Sequence, residues 1–170
     1  VSLRQAVEDD VLVCDESQFT CVFGPRYRLL IIGAGQIGEL LSQIALSLDF
    51  AVTICDPREE YNAEWAIENT KLVSTMPDDT VLEMKMDSRT AVVALTHDPK
   101  LDDMALMEAL GSPAFYIGAL GSKVNNDKRR ARLLEFDLTE QQIAQLHGPA
   151  GLGIGSHTPA EIAVSIAAEI

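Results

Sequence analysis

The chain is 170 residues long, 47% hydrophobic and 23% charged, with 26 acidic against 13 basic residues and a formal net charge of −13. That size and composition suit one globular domain with a sizeable core rather than a disordered chain. The acidic balance argues against a nucleic-acid or anionic-membrane surface, both of which select for basic faces, and no apolar run approaches the ~20 residues of a membrane-spanning helix.

The first ten residues, VSLRQAVEDD, lack the apolar core of a signal peptide. The chain begins at Val1 and reads as a fragment. Leu3–Val7 suits a short helix. VLVCDESQFTCVF, Val11–Phe23, alternates loosely around Asp15-Glu16-Ser17, as a hairpin or an extended lead-in would. Gly24-Pro25 breaks the pattern. Residues 1–26 therefore read as a linker or the remnant of an upstream domain, ahead of a main domain over 27–170. Three cysteines, Cys14, Cys21 and Cys55, form no CxxC pair. They suit a reducing cytosol and argue against a disulfide framework or a zinc site.

RLLIIGAGQIGELL, Arg28–Leu41, combines a buried strand, a glycine turn and a helix start. In a GxGxxG turn the first glycine, Gly33, permits the turn. The second, Gly35, lets a pyrophosphate approach the backbone. The third, Gly38, lets helix and strand pack closely. The helix N-terminus then offers free N–H groups to a phosphate. The helix is predicted over Gln36–Ser47, with an apolar stripe of Leu40, Leu41, Ile44, Ala45 and Leu48. AVTIC, Ala51–Cys55, is a second buried strand, and Cys55 reads as a small buried hydrophobe. Asp56 follows, 23 residues past Gly33, about where a carboxylate holds ribose hydroxyls and repels a 2′-phosphate. Arg58 pulls the other way, since an arginine there holds a phosphate. Asp56-Pro57 also reads as a plain turn or helix start.

Residues 59–90 are less informative, with a short strand at Lys71–Ser74 and a helix opened by Pro77 and running to Met84. Trp65 reads as a packing residue at a surface groove. TAVVALT, Thr90–Thr96, is a buried strand that runs into His97-Asp98-Pro99, then a helix over Lys100–Leu110. AFYIGAL, Ala114–Leu120, leads through Gly121-Ser122-Lys123 into a helix reaching Phe136. Thr139 caps a helix over Glu140–Leu146, and a glycine-rich loop spans Gly148–His157. In Thr158-Pro159-Ala160-Glu161, Thr158 caps the last helix, Pro159 suits its first position and Glu161 completes a capping box. Strands alternating with helices, and apolar throughout, imply a Rossmann-like three-layer α/β fold: a parallel sheet with helices on both faces.

In such a sheet, ligands bind beyond the carboxyl ends of the strands. GAGQIG, DPR, THD, GALGSK and GLGIGSHT should therefore line one crevice. GALGSK, Gly118–Lys123, is a second phosphate cradle, though not a P-loop, and Lys123 is its best ligand candidate. The helix after it carries Lys123, Lys128, Arg129, Arg130 and Arg132, five of the thirteen basic residues. They read either as a solvated face or as an anion-binding or docking patch, and the three arginines point in different directions. His97 reads either as a proton or phosphate partner or as a loop histidine capping the next helix. His147 reads as a partner for a helix C-terminus, and His157 sits in the last crevice loop. The histidines lack metal-type spacing, so no metal site is predicted, and no catalytic acid/base pair stands out. The candidate cofactor-binding residues are Gly33, Gly35, Gly38, Asp56, Arg58, Thr96, His97, Gly118, Gly121, Ser122, Lys123, Gly155 and His157.

Three stretches, LLIIGAGQIGELLSQIALSLDFAVTICDPR, AVVALTHDPKLDDMALMEALGSPAFYIGALGSKVNNDKRRARL and HGPAGLGIGSHTPAEIAVSIAAEI, resemble the Rossmann-type C-terminal domain of the XdhC/CoxI family. These are accessory proteins of xanthine dehydrogenase and carbon monoxide dehydrogenase. THDPKLD, FYIGALGSK and the GLxIGxxTPAEIA ending carry the resemblance, which covers Arg28–Ile170. It implies a cytoplasmic chaperone that binds molybdenum cofactor (molybdopterin), protects it while its sulfido ligand is installed, and delivers it to a xanthine dehydrogenase-type enzyme. A sulfur-donating cysteine desulfurase is a further implied partner. Relatives usually carry an N-terminal domain with a glycine- and cysteine-rich motif that is absent here, and Gln36 stands where many have histidine. The residues also leave open an NAD(P)-dependent oxidoreductase or a dinucleotide-binding regulatory module, and the apolar last helix could pair two copies.

Overall fold

The computed structural model describes residues 26–136 and 138–170, together with the backbone of 11–14 and 19–22. The predicted Leu3–Val7 helix and the Gly24-Pro25 break lie outside the described residues. β1 (Val11–Cys14) and β2 (Phe19–Val22) pair antiparallel, with Val11 opposite Val22.

Six further strands form one parallel sheet. They are β3 (Arg28–Ile32), β4 (Ala51–Cys55), β5 (Lys71–Val73), β6 (Thr90–Ala94), β7 (Tyr116–Ala119) and β8 (Leu146–His147). Their spatial order is β5-β4-β3-β6-β7-β8. Successive side chains on a strand point to opposite faces, so each strand feeds two cores. Leu30, Ile32, Val92, Ala94 and Ile117 face α3 (Pro77–Met84), α4 (Pro99–Ala109) and α5 (Lys123–Glu135) through Val81, Leu106 and Leu133. Leu29, Ile31, Val52, Ile54 and Val93 face α1 (Gln36–Ser47) and α7 (Pro159–Glu169) through Leu41, Ala45, Ala163 and Ile166. Two shorter helices, α2 (Glu59–Glu64) and α6 (Glu140–Ile143), complete the elements of the described residues. This is the doubly covered Rossmann-like architecture expected from the apolar strand runs.

Helix ends follow their local chemistry. Thr158 and Glu161 form a capping box at α7, with Pro159 in its first turn, and Thr139 and Gln142 form another at α6. At α4 the N-cap is Asp98, whose side chain accepts from the Lys100 N–H, so His97 does not cap that helix.

Two expectations are corrected by packing. On α1, Leu48 is exposed, while Ser42 joins Gly38, Leu41 and Ala45 in the buried face. Small residues let α7 lie close there, and the Ser42 hydroxyl is satisfied by donating to the Gly38 carbonyl at 2.6 Å. At the other end, α6 stops at Ile143, and Leu146–His147 is an edge strand rather than helix. Leu146 is buried opposite Ile117 of β7. Arg130 donates to the Leu146 carbonyl at 2.6 Å and the Gly148 carbonyl at 3.2 Å. His147 therefore leaves the helix-end role. It stacks on Tyr116 with ring centroids 4.5 Å apart, and its Nδ1 lies 3.3 Å from Glu169 Oε1.

Candidate functional site

After β3 the chain moves outward through β4 to β5, and from β6 it moves the opposite way to β8. β3 and β6 flank the point where strand order reverses, where open α/β sheets form a crevice at the carboxyl ends of the strands.

The glycine turn builds the first wall. Gly33 has φ +113°, a conformation that L side chains rarely adopt. A Cβ on Gly38 would lie 2.5 Å from the Gly33 carbonyl oxygen, so only glycine allows this approach of helix to strand. Gly35 is different: a Cβ there would meet nothing within 4 Å. Its position is open, and it is the N-cap of α1 with no side-chain cap. The N–H groups of Gln36, Ile37 and Gly38 have no hydrogen-bond partner among the described residues. An open glycine and unpaired N–H groups at the positive end of a twelve-residue helix are the features by which helix starts receive anions.

Asp56 lies beside this turn with a fully buried side chain. Its Oδ2 accepts from the Ala34 N–H at 2.9 Å and from Arg58 Nη2 at 2.7 Å. Its Oδ1 accepts from Arg58 Nε at 2.8 Å and the Arg58 N–H at 3.1 Å. Burial alone would raise its pKa, but the Arg58 and Ala34 hydrogen bonds outweigh it and hold the carboxyl below the usual carboxylate range. The Arg58 guanidinium also lies over the Tyr61 ring, 3.9 Å from its centroid.

Two cavities occupy the crevice. One, of about 140 Å³, is lined by Gly33, Gly35, Gln36, Ile37, Gly38, Arg58, Tyr61, Leu95, Thr96, His97 and Pro159. The other, of about 260 Å³, is lined by Thr96, His97, Pro99, Asp102, Leu120, Gly121, Asn125, Lys128, Arg129 and Arg132. Thr96 and His97 belong to both. Gly33, Gly35, Gly38, Arg58, Thr96, His97 and Gly121 are thus brought together, and four of the five post-strand loops contribute directly.

The other expected residues lie elsewhere. Gly118 sits inside β7 under the Tyr116 ring, where a Cβ would come within 2.7 Å of that side chain. Ser122 is the N-cap of α5, accepting from the Asn125 N–H at 3.2 Å. Lys123 is exposed and lines neither cavity. Gly155 and His157 are exposed, and the His157 N–H donates to Glu161 Oε2 at 2.7 Å.

The second cavity is underpinned by a buried polar network that sequence reading did not identify. Asp102 Oδ1 accepts from the Thr96 hydroxyl at 2.7 Å and the Thr96 N–H at 3.2 Å, and its Oδ2 lies 2.9 Å from Arg129 Nη2. Arg129 also donates to Asp103 at 3.1 Å, to the Leu120 carbonyl at 3.0 Å and to Asn126 Oδ1 at 2.9 Å. Arg132 completes the set on Asp103 at 2.7 Å. The basic helix is therefore not simply a solvated face. Arg129 is buried and ties the loops after β6 and β7 to α4 and α5. Burial pushes the Asp102 carboxyl up to about 6 against the pull of Thr96 and Arg129. The available signal was spacing: Asn126, Arg129 and Leu133 recur on one helix face, opposite the adjacent carboxylates Asp102 and Asp103.

Cys55 is buried, with Sγ 3.2 Å from Thr80 Oγ1, and burial pushes its thiol up to about 11. That environment suits packing rather than nucleophilic chemistry. Among the described residues, no group of His, Cys, Asp and Glu side chains is placed to hold a metal ion, and no helix is long and apolar enough to cross a membrane.

Residues 29–170 match the family described as the XdhC Rossmann domain. The chain is 34% identical over 155 residues to the uncharacterized protein YqeB of Escherichia coli K12, covering 91% of this chain and 28% of that protein. It is 30% identical over 179 residues to the molybdenum cofactor insertion chaperone PaoD of the same organism, covering 100% of this chain and 50% of PaoD. A crystal structure described as a xanthine dehydrogenase from Bacillus halodurans superposes with a TM-score of 0.73 at 29% identity, covering 86% of this chain and 42% of that one. The chain thus spans half or less of the length of each of these proteins.

Proposed function

The chain belongs to the XdhC Rossmann-domain family, and from that premise we propose that it is the cofactor-holding part of a maturation factor that binds molybdopterin and passes it to a xanthine dehydrogenase-type molybdoenzyme. The open cradle at Gly35 carries this reading. Its open position and unpaired N–H groups suit a phosphate, the anionic end of molybdopterin, and it sits in a chain whose relatives include a named molybdenum cofactor insertion chaperone.

The residues present suit that ligand. The N–H groups of Gln36, Ile37 and Gly38 would hold the phosphate through charge-assisted hydrogen bonds. The neighbouring cavity offers the imidazole of His97, the carboxamide of Asn125 and the ammonium of Lys128, a donor and acceptor set suited to the polar edge of a pterin. The Asp102–Arg129 network has its own groups paired, so its role is to fix Thr96 and the two loops. When bound, the cofactor carries the redox and oxo chemistry of the client enzyme, while this chain binds, orients and shields it.

Calorimetric titration of the purified protein with anaerobic molybdopterin tests the reading, with bound cofactor quantified as fluorescent pterin after release and oxidation. Saturable 1:1 binding, followed by activation of apo-enzyme on mixing, is expected. Binding of NAD⁺ with no uptake of molybdopterin would overturn it.

A further inference from the structure

The two halves of the crevice are unequal. In a dinucleotide-binding sheet the pyrophosphate lies on the glycine turn, and one nucleoside extends over the strand after it, with its ribose on the carboxylate that ends that strand. Here that strand is β4, and the carboxylate is Asp56. A carboxylate offers about four lone-pair positions. All four are taken, by the Ala34 N–H, the Arg58 N–H, Arg58 Nε and Arg58 Nη2, at 2.7–3.1 Å. The space above Asp56 holds the Arg58 guanidinium, itself seated on Tyr61. The opposite half, toward β6 and β7, is open as the cavity of about 260 Å³.

We propose that Arg58, locked on Asp56 and backed by Tyr61, closes the β4 half of the crevice and selects a phosphate monoester of a single heterocycle over dinucleotides. The inference rests on the molybdopterin reading above and specifies which form of that cofactor the site takes. The phosphate sits at Gly35 and the heterocycle extends past Thr96 and His97 into the cavity beside Asn125 and Lys128. Each cavity alone is smaller than the ~300 Å³ at which small-molecule sites usually begin, and the two meet at Thr96 and His97, so one ligand spanning both is the arrangement that fits. A second nucleoside would have to lift Arg58 from a bidentate pair and leave a buried carboxylate to be satisfied by ribose hydroxyls. Lost charge-assisted hydrogen bonds of this kind correspond to roughly tenfold to hundredfold in affinity.

The test compares three probes by calorimetry on the full chain: molybdopterin in its monoester form, its cytidine dinucleotide form, and NAD⁺. The wild type is expected to bind the monoester at least ~10-fold more tightly than either dinucleotide. Arg58→Ala is expected to raise the absolute affinity for the dinucleotides, which a general loss of structure would not do. Tyr61→Ala, on an exposed side chain, is a milder variant expected to move affinities in the same direction. Equal wild-type affinity for the monoester and its dinucleotide form would overturn the selectivity while leaving the chaperone reading intact. A gap unchanged by both substitutions would do the same. Failure to bind molybdopterin in either form would overturn both readings.

Discussion

The same substitution at two glycines three residues apart should have opposite consequences. In Gly38→Ala the new Cβ lands 2.5 Å from the Gly33 carbonyl oxygen. That atom belongs to a backbone turn pinned by the Gly33 N–H donating to the Cys55 carbonyl at 2.9 Å, so it cannot yield cheaply. α1 would have to withdraw from β3 and loosen the contacts of Leu41 and Ala45, which are 0% and 3% exposed. Overpacking of this kind costs about 1–3 kcal/mol, and a clash with backbone belongs at the upper end. Alanine returns up to about 1 kcal/mol as the better helix former. The expected net loss is about 2 kcal/mol, a large part of the ~5–15 kcal/mol that holds a domain together. In Gly35→Ala the backbone is at φ −90°, ψ −178°, which alanine adopts freely, and the Cβ points into open space. Alanine is a poorer N-cap but lowers the entropy of the unfolded chain, and these effects roughly cancel to within about 0.5 kcal/mol. The methyl group does occupy the cradle, so molybdopterin affinity should fall at least about tenfold. Urea denaturation reads the first effect and calorimetry the second. A neutral Gly38→Ala, or a Gly35→Ala that binds like wild type, would refute the division between packing glycine and cradle glycine.

Arg129→Met removes the shared partner of Asp102 and Asp103 and should cost about 3–5 kcal/mol by leaving buried charge uncompensated; a loss below about 1 kcal/mol in urea denaturation would show that the network adapts. Arg132→Ala, on a half-exposed side chain, should cost no more than about 1 kcal/mol by the same assay. Asp102 should titrate near pH 6 by carbon-13 NMR of its carboxyl group. The native state then holds a proton that the unfolded chain releases near pH ~4, so this group favours folding on the acid side of that window, and the advantage is lost as pH rises through about 6; titration in the ordinary carboxylate range would contradict the buried placement. Cys55 in the native protein should resist alkylation at pH 8 and react once unfolded, because burial holds its thiol up at about 11; rapid native labelling at Cys55, read by mass spectrometry, would show that the strand end is open.

Much of the site was legible because it rests on local rules. The glycine turn announces itself by spacing: Gly33 takes the positive φ of the turn, Gly38 makes the close helix–strand contact, and the position of Gly35 is open. The convergence of GAGQIG, DPR and THD on one crevice follows from strand order in a parallel sheet, without any knowledge of contacts. What was less legible depends on distant partners. Asp56 looked like a ribose ligand from its position, yet Arg58, two residues on, saturates it. Lys123 looked better placed than Lys128, because a residue at a helix start is nearest the crevice in sequence; the pitch of α5 instead brings Asn125, Lys128 and Arg132 to the cavity. Gly118 looked like part of a phosphate cradle, but strand alternation puts it on the same side as Tyr116, whose ring needs the room.

The alternation of buried strands and capped helices, the covered parallel sheet and the position of the glycine turn could all be read from the linear order, since each depends on residues a few positions apart. Only the tertiary structure decided which charged groups remain free to meet a ligand. Asp102, Asp103 and Arg129 are consumed by one another across 26 or 27 positions of chain, and Asp56 is consumed by Arg58 and Ala34. A charge in a crevice is a ligand only if nothing else satisfies it, and that balance is struck between elements that the linear order keeps apart.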